Sequence, residues 1–153
     1  MAARLQPVGT TAPWYQSAML HDIALLLLRV VAGAMLMQHG TQKLFGFPPS
    51  AARPCTGAPE LLTRVGIAGV METFGGLLLV LGLLTRVVGF LLSGELAVAY
   101  FTVHAPRAFF PILNQGALAA LFSFVFLFFA AAGGGRYSLD RLSFGPRSRI
   151  RKP

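Results

Sequence analysis

The chain has 153 residues, of which 55% are hydrophobic and only 12% are charged, and its mean hydropathy is +0.66. A soluble domain carries roughly 25% charged and about 45–50% apolar residues, so this composition excludes an ordinary water-soluble domain and favours partial solvation by lipid. The net charge of +8 would also suit a nucleic-acid binder. Six of the 13 basic residues fall in the last 18 positions, however, so the charge belongs to a tail, and no nucleic-acid partner is predicted.

The cysteine and glycine patterns exclude several kinds of redox and nucleotide site. The single cysteine, Cys55, allows neither an intramolecular disulfide nor a CxxC pair nor a cysteine-based metal centre. The glycines at 75–76 and 133–135 lie within or at the end of apolar runs, where a nucleotide phosphate has no access. We therefore predict no metal site, and we recognise no electron carrier in the chain itself.

Four apolar segments approach the length of about 20 residues that a helix needs to cross a bilayer. In chain order they run from about Ile23 to Leu44, Val65 to Leu84, Val87 to Val103 and Leu113 to Ala132. The very short turn at Thr85-Arg86 predicts that the second and third helices are antiparallel neighbours. The sequence therefore predicts an all-α fold, an integral membrane four-helix bundle with up-and-down topology.

Four spans place both termini on one side of the membrane, and the basic residues indicate which side. Arg4, Arg86 and the six basic residues of the tail share that face, against Arg53, Arg64 and Arg107 on the other. By the positive-inside tendency, both termini are expected in the cytoplasm. The predicted organisation is an interfacial segment 1–22, a transmembrane domain 23–135 and a basic tail 136–153 that binds anionic headgroups of the lipid bilayer.

Three charged residues fall inside the predicted spans. With a rise of about 1.5 Å per residue, Arg29, Glu95 and Glu72 lie about 10, 14 and 18 Å from the cytoplasmic edge of a core about 30 Å thick. Intramembrane charges are costly and usually mark function, so we predict that the three meet as one catalytic, proton-exchanging cluster. The alternative is that they only staple the helices together, although a buried pair adds little stability.

A second polar group is predicted near the outer face of the bundle. Its members are His39, Lys43, His104, Asn114 and Gln115. Convergent donors at the mouth of an apolar site would suit the headgroup of a quinone. Two histidines at one depth would also suit a bis-histidine haem, which is disfavoured because both lie at helix ends, and a third interpretation is that these side chains only solvate the interface.

The fourth apolar segment is rich in phenylalanine. Phe122, Phe124, Phe126, Phe128 and Phe129 follow a mixed spacing and point in several directions around a helix. We interpret these rings as lipid-facing bulk rather than as a cofactor site.

Several short motifs lie between about residues 23 and 142. They are Arg29 with His39 to Leu44, Glu72 to Leu79, Leu81 to Arg86, Ala99 to Phe101 with His104, Phe110 to Asn114 and Gly133 to Asp140. Together these motifs resemble the DoxX family of small bacterial membrane proteins. Many family members read Asn-x-Gly-Glu where this chain has Asn114-Gln115-Gly116-Ala117, so Glu72 and Glu95 remain its only membrane carboxylates.

The resemblance implies a multi-pass protein of the bacterial inner membrane, described in this family as an oxidoreductase component. Related DoxD-type proteins form the membrane part of thiosulfate:quinone oxidoreductase. On that basis the expected function is a quinone-linked membrane subunit that works with a partner protein or a second copy of itself. The alternatives are a non-catalytic membrane scaffold or assembly partner and a transporter of protons or small solutes.

Overall fold

The computed structural model describes residues 18–49 and 61–144, and these residues form helices and turns without a β-strand. The helices are α1 (Ala18–Phe45), α2 (Arg64–Leu81), α3 (Thr85–Ala99) with a π-helical extension (Tyr100–His104), α4 (Ala117–Ala132) and the short α5 (Leu139–Phe144). The predicted all-α membrane bundle is confirmed. Arg4, Arg53, Cys55 and the basic residues after 144 lie outside the described ranges, and the boundaries of the three predicted parts remain predictions.

Small residues set the packing of α1 on α2. A β-carbon on Gly33 would lie 2.8 Å from the carbonyl oxygen of Gly76, and one on Gly40 would overlap the backbone nitrogen of Thr73. Glycine therefore allows the two backbones to approach closely, as small residues commonly do between membrane helices. α3 packs mainly against α4, and α2 joins the two pairs.

The turn between α2 and α3 comes earlier than the sequence predicted. Gly82 adopts a left-handed conformation with φ of 70°, and the N–H of Leu83 donates to Leu78 O at 2.9 Å. This is the Schellman arrangement, which satisfies the last carbonyls of a helix and stops it. Because only Gly82 to Leu84 separate the helices, α2 and α3 are antiparallel neighbours, as predicted.

The fourth helix differs most from its predicted form. It begins at Ala117 rather than near Leu113 and has 16 residues, or about 24 Å of length. By length and composition, three described helices can cross a membrane, namely Met19–Phe45, Arg64–Leu81 and Thr85–His104, and Ala117–Ala132 is apolar but shorter. This helix is therefore shorter than a hydrocarbon core about 30 Å thick, and the fourth crossing remains a prediction.

The phenylalanines of α4 correct another expectation. Phe122, Phe126 and Phe129 are buried in the core, and the first two rings stack with centroids 5.5 Å apart. Phe124 and Phe128 are exposed. The prediction that all five face lipid was therefore wrong for three of them, because positions 122, 126 and 129 recur with helical period and share one face.

The segment after α4 folds back onto the bundle. Gly133, Gly134 and Ser138 are buried, and the backbone N–H of Asp140 donates to Gly82 O at 2.9 Å. Residues 137–140 of the predicted tail therefore contact the bundle. The Gly82 turn, the end of α4 and α5 lie at one end of the bundle, and Lys43, Arg64 and the 105–116 segment lie toward the other.

Candidate functional site

A buried ion pair joins α1 to α2 inside the bundle. Lys43 Nζ donates to Glu72 Oε1 at 2.5 Å, and the side chains are 25% and 2% exposed. Lys43 follows Gly33, Leu36 and Gly40 at helical spacing. The glycines of this face pack on α2, and the position of Lys43 on it brings the long side chain to Glu72. The amine is therefore held by a carboxylate rather than extended to the outer interface.

Glu95 on α3 completes what we call the Lys43 cluster, which consists of Lys43, Glu72 and Glu95. Glu95 lies within electrostatic range of both Glu72 and Lys43. The Oε2 atoms of Glu72 and Glu95 are both buried and have no hydrogen-bond partner among the described residues. One ammonium thus faces two carboxylates, so the cluster carries excess negative charge unless a proton or a further donor joins it.

Arg29 does not belong to this cluster, and the prediction that Arg29, Glu72 and Glu95 meet was wrong. Arg29 is 1% exposed, and its Nη1 and Nη2 donate to Gly134 O at 2.8 Å and Tyr137 O at 2.7 Å. Arg29 precedes Lys43 by about 14 residues, or roughly 21 Å along α1. Similar depth was not sufficient for contact, because the long side chain of Arg29 reaches toward the end of the bundle where α4 stops.

The surroundings of Arg29 form a separate network, which we call the Arg29 end. It consists of Arg29, Gly82, Gly134, Tyr137 and Asp140. The carboxylate of Asp140 accepts the backbone N–H groups of Leu84 at 2.6 Å and Thr85 at 2.8 Å, so it caps α3. Asp140 also lies within electrostatic range of Arg29, and the two formal charges of this network balance each other.

No capping motif in the sequence indicates the role of Asp140. The residues that it caps precede it by more than 50 positions. A local capping motif would place an acceptor just before the helix that it caps, whereas here the acceptor comes from a different element. Only the return of the chain after α4 creates the contact.

The predicted outer polar residues do not converge on one point. Asn114 is 1% exposed, but its Nδ2 donates to Ala108 O at 2.9 Å and its Oδ1 accepts Gly116 N–H at 2.8 Å. Its amide therefore forms hydrogen bonds with backbone groups of the irregular 105–116 segment. Within a membrane, the polar backbone groups of a non-helical segment need such partners inside the protein. His39 and Gln115 are exposed, and Gln115 has φ of 59°.

His104 lies at the end of the π-helical turn. The N–H of Ala105 donates to Tyr100 O at 2.8 Å, the wide spacing of a π-helix, a form often found at functional sites. His104 Nδ1 lies 3.1 Å from the carbonyl oxygen of Asn114, so Nδ1 is the donor in this contact and Nε2 is left as the acceptor nitrogen. His104 thus binds the 105–116 segment to α3.

No group of three or more His, Cys, Asp or Glu side chains suited to a metal ion occurs in the part of the chain that the structure describes. The Lys43 cluster is therefore the strongest candidate site among these residues. Its chemistry is that of hydrogen-bond donation by an ammonium and proton exchange by carboxyl groups.

The chain is similar to one protein family and to one bacterial protein. The DoxX family profile matches residues 24–105, which include Lys43, Glu72 and Glu95. A protein of Haemophilus influenzae, described only as uncharacterized, is 44% identical over 125 residues, which cover 78% of this chain and 90% of that protein. No solved structure matches the chain.

Proposed function

The chain belongs to the DoxX family of membrane proteins, and we propose that it is the quinone-binding membrane subunit of an oxidoreductase in the bacterial inner membrane. The observation that carries this proposal is the Lys43 cluster. It combines one ammonium, two carboxyl groups and two buried carboxylate oxygens without a partner among the described residues. Such groups are expensive inside a membrane unless they serve a function.

The residues of the Lys43 cluster fit the chemistry of a quinone. Reduction of a quinone to a quinol consumes two electrons and two protons, and the reverse reaction releases them. Lys43 Nζ has three donor hydrogens, of which Glu72 Oε1 takes one, so the ammonium can also donate to a quinone carbonyl. Glu72 and Glu95 would deliver or receive the protons through the Oε2 atoms.

The electrons must come from another protein. With the single Cys55 and no recognised carrier motif, the proposed subunit binds the lipid-soluble substrate while a partner protein exchanges electrons with it. Arg29 takes no part in this proposal, because its two Nη groups are committed to backbone carbonyls. His39, His104, Asn114 and Gln115 are assigned to the interface and to the 105–116 segment rather than to the quinone.

The test is the quinone content of the purified protein. We expect the protein extracted in mild detergent to retain quinone, and Glu95→Gln to lose most of it. Glu95→Gln is the informative variant because the buried Oε2 of Glu95 has no hydrogen-bond partner among the described residues, so the substitution breaks no hydrogen bond of that atom. Asp22→Asn is the matched control, because it also converts a carboxylate to an amide within a helix. Asp22 lies beside His21 near the start of α1, away from the Lys43 cluster.

Absence of quinone from the wild-type protein would contradict the proposal, and so would equal quinone content in the wild type, Glu95→Gln and Asp22→Asn. Helix content measured by circular dichroism should be the same in all three proteins. If Glu95→Gln loses quinone and helix content together, the loss follows from unfolding, and Glu95→Asp replaces it as the test variant.

A second candidate function is that of a non-catalytic scaffold for other membrane proteins. It is favoured by one observation, namely that the Lys43–Glu72 pair bridges α1 and α2 directly and would fix their register without any ligand. A scaffold would co-purify with the same proteins in the wild type and in Glu95→Gln, and would contain no quinone in either.

A further inference from the structure

A groove lies at the end of the bundle where α3 begins, α4 stops and α5 returns. Its volume is about 460 Å³. Two arginines, Arg86 and Arg141, line it together with the Gly133–Gly135 backbone, Ser138 and the apolar side chains of Leu84, Val87 and Ala132. It lies apart from the Lys43 cluster, and nothing in the proposed quinone chemistry uses it.

The polar side of this groove is basic. Arg86 donates from Nη1 to Ala130 O and Ala131 O and from Nη2 to Ala132 O, which satisfies the last carbonyls of α4. Its Nε makes no hydrogen bond within the described ranges and faces Gly133, where a β-carbon would lie 3.2 Å from it. Glycine at 133 therefore leaves this donor accessible.

Arg141 supplies the second charge. It is exposed, and its guanidinium has no hydrogen bond to any described residue. The groove also contains one acid, Asp140, but both of its carboxylate oxygens accept N–H groups at the start of α3. The lining carries two arginine charges against the one carboxylate of Asp140, so it is positive overall, with free donors on Arg86 and Arg141.

The other side of the groove is apolar and continues onto the lipid-facing surface. Leu84 is 48% and Val87 59% exposed, and Phe90 and Leu91 extend the same surface along α3. Since α3 begins and α4 ends at this level, the groove lies at the edge of the membrane span, where phospholipid phosphates are found. A ligand that fits must be anionic at one end and apolar at the other.

We propose that this groove binds the phosphate headgroup of an anionic phospholipid, with Arg86 and Arg141 on the phosphate and an acyl chain along Leu84 and Val87. Basic pockets between membrane helices are known to bind such headgroups. The four basic residues after position 144 have the same sign as the groove, so electrostatics opposes their occupying it. A zwitterionic lipid would bring its own cation toward two arginines and bind less well.

The experiment measures lipid retention by native mass spectrometry of the full chain in mild detergent, with phosphatidylglycerol or phosphatidylcholine added. We expect phosphatidylglycerol to be retained in preference to phosphatidylcholine. Arg141→Gln should bind phosphatidylglycerol about fivefold more weakly, as expected for one headgroup charge contact. Arg86→Gln should also weaken binding, but Arg86 supports α4 as well, so Arg141→Gln is the decisive variant.

Two matched controls remove the same charge elsewhere. Arg107→Gln changes an exposed arginine in the 105–116 segment, and Arg64→Gln changes an exposed arginine at the start of α2, both toward the opposite end of the bundle. Both should retain phosphatidylglycerol within about twofold of the wild type, because neither residue is among those that line the groove.

Three outcomes would overturn the proposal. Equal retention of the two lipids would show that the phosphate charge is not recognised. An equal loss in Arg141→Gln and Arg107→Gln would show non-specific attraction to basic residues. Displacement of phosphatidylglycerol by millimolar inorganic phosphate would show a site for the free anion rather than for an amphiphile.

Discussion

The Arg29 end and the Lys43 cluster are both buried and charged, but they differ in charge balance. At the Arg29 end one cation is matched by Asp140, and both Nη groups and both carboxylate oxygens have backbone partners, whereas Arg29 Nε and Thr85 Oγ1 have none among the described residues. In the Lys43 cluster one cation faces two carboxylates, and two oxygens have no partner among the described residues. A balanced network stabilises the fold, whereas an unbalanced one needs a proton or a ligand, so the second is the better functional candidate.

Replacing Arg29 should have the largest effect on stability. Arg29→Met removes the donors to Gly134 O and Tyr137 O and leaves Asp140 without its counter-charge. Each buried acceptor without a partner costs about 1–3 kcal/mol, so we expect the free energy of unfolding to fall by about 4 kcal/mol. Denaturant titration in detergent, followed by circular dichroism, measures the change. A loss below about 1 kcal/mol would mean that the Arg29 end is not structural.

A methyl group at Gly82 should disturb the same network from its other side. A β-carbon there would overlap the guanidinium of Arg29, and a left-handed backbone costs a non-glycine residue about 1–2 kcal/mol. We expect Gly82→Ala to lower the free energy of unfolding by about 3 kcal/mol. The control is Gly94→Ala in α3, where a β-carbon meets nothing within 4 Å. That variant should be neutral or slightly more stable, and an equal loss in both would contradict the assigned role of Gly82.

Removal of the Asp140 carboxylate tests how much the Arg29 end depends on its acid. Asp140→Ala leaves the first N–H groups of α3 without an acceptor, as in the loss of a helix N-cap, which costs about 0.5–2 kcal/mol. We expect a decrease of about 1.5 kcal/mol in the free energy of unfolding. Asp22→Ala is the control, because Asp22 makes no comparable cap in the described structure. Equal effects of the two substitutions would show that the cap does not stabilise α3.

The sequence predicted the helices well because apolar length and small-residue faces are local properties. The α1–α2 contact through Gly33, Gly40 and Gly76 follows from glycines at helical spacing. The early end of α2 was missed because the apolar residues Leu83 and Leu84 follow Gly82. Hydropathy alone cannot show that Gly82 adopts a left-handed conformation and ends the helix. The late start of α4 was missed because Asn114 folds the preceding residues through its own side chain.

The membership of the charged clusters could not be predicted from depth along each helix. Arg29 and Lys43 lie on one face of α1, and the sequence paired Arg29 rather than Lys43 with the two acids. Long side chains reach several ångströms along the axis, and the partners of Arg29 are backbone carbonyls after α4, which carry no residue-specific signal. The sequence named Glu72 and Glu95 as site residues, and their assigned role remains a prediction.

Among these substitutions, Glu95→Gln is expected to have the smallest effect on stability. Its comparison with Arg29→Met distinguishes the Lys43 cluster from the Arg29 end most clearly. The Glu95 carboxylate has like charge to Glu72 and lies within its electrostatic range, so Glu95→Gln removes repulsion without breaking a hydrogen bond in the described structure. We expect a change of less than about 1 kcal/mol in the free energy of unfolding, with a gain as the favoured sign. Glu72→Gln should instead be destabilising, because it leaves Lys43 without its partner. If Glu95→Gln destabilises the protein as strongly as Arg29→Met, the Lys43 cluster is a second structural network, and the excess carboxylate no longer argues for a ligand.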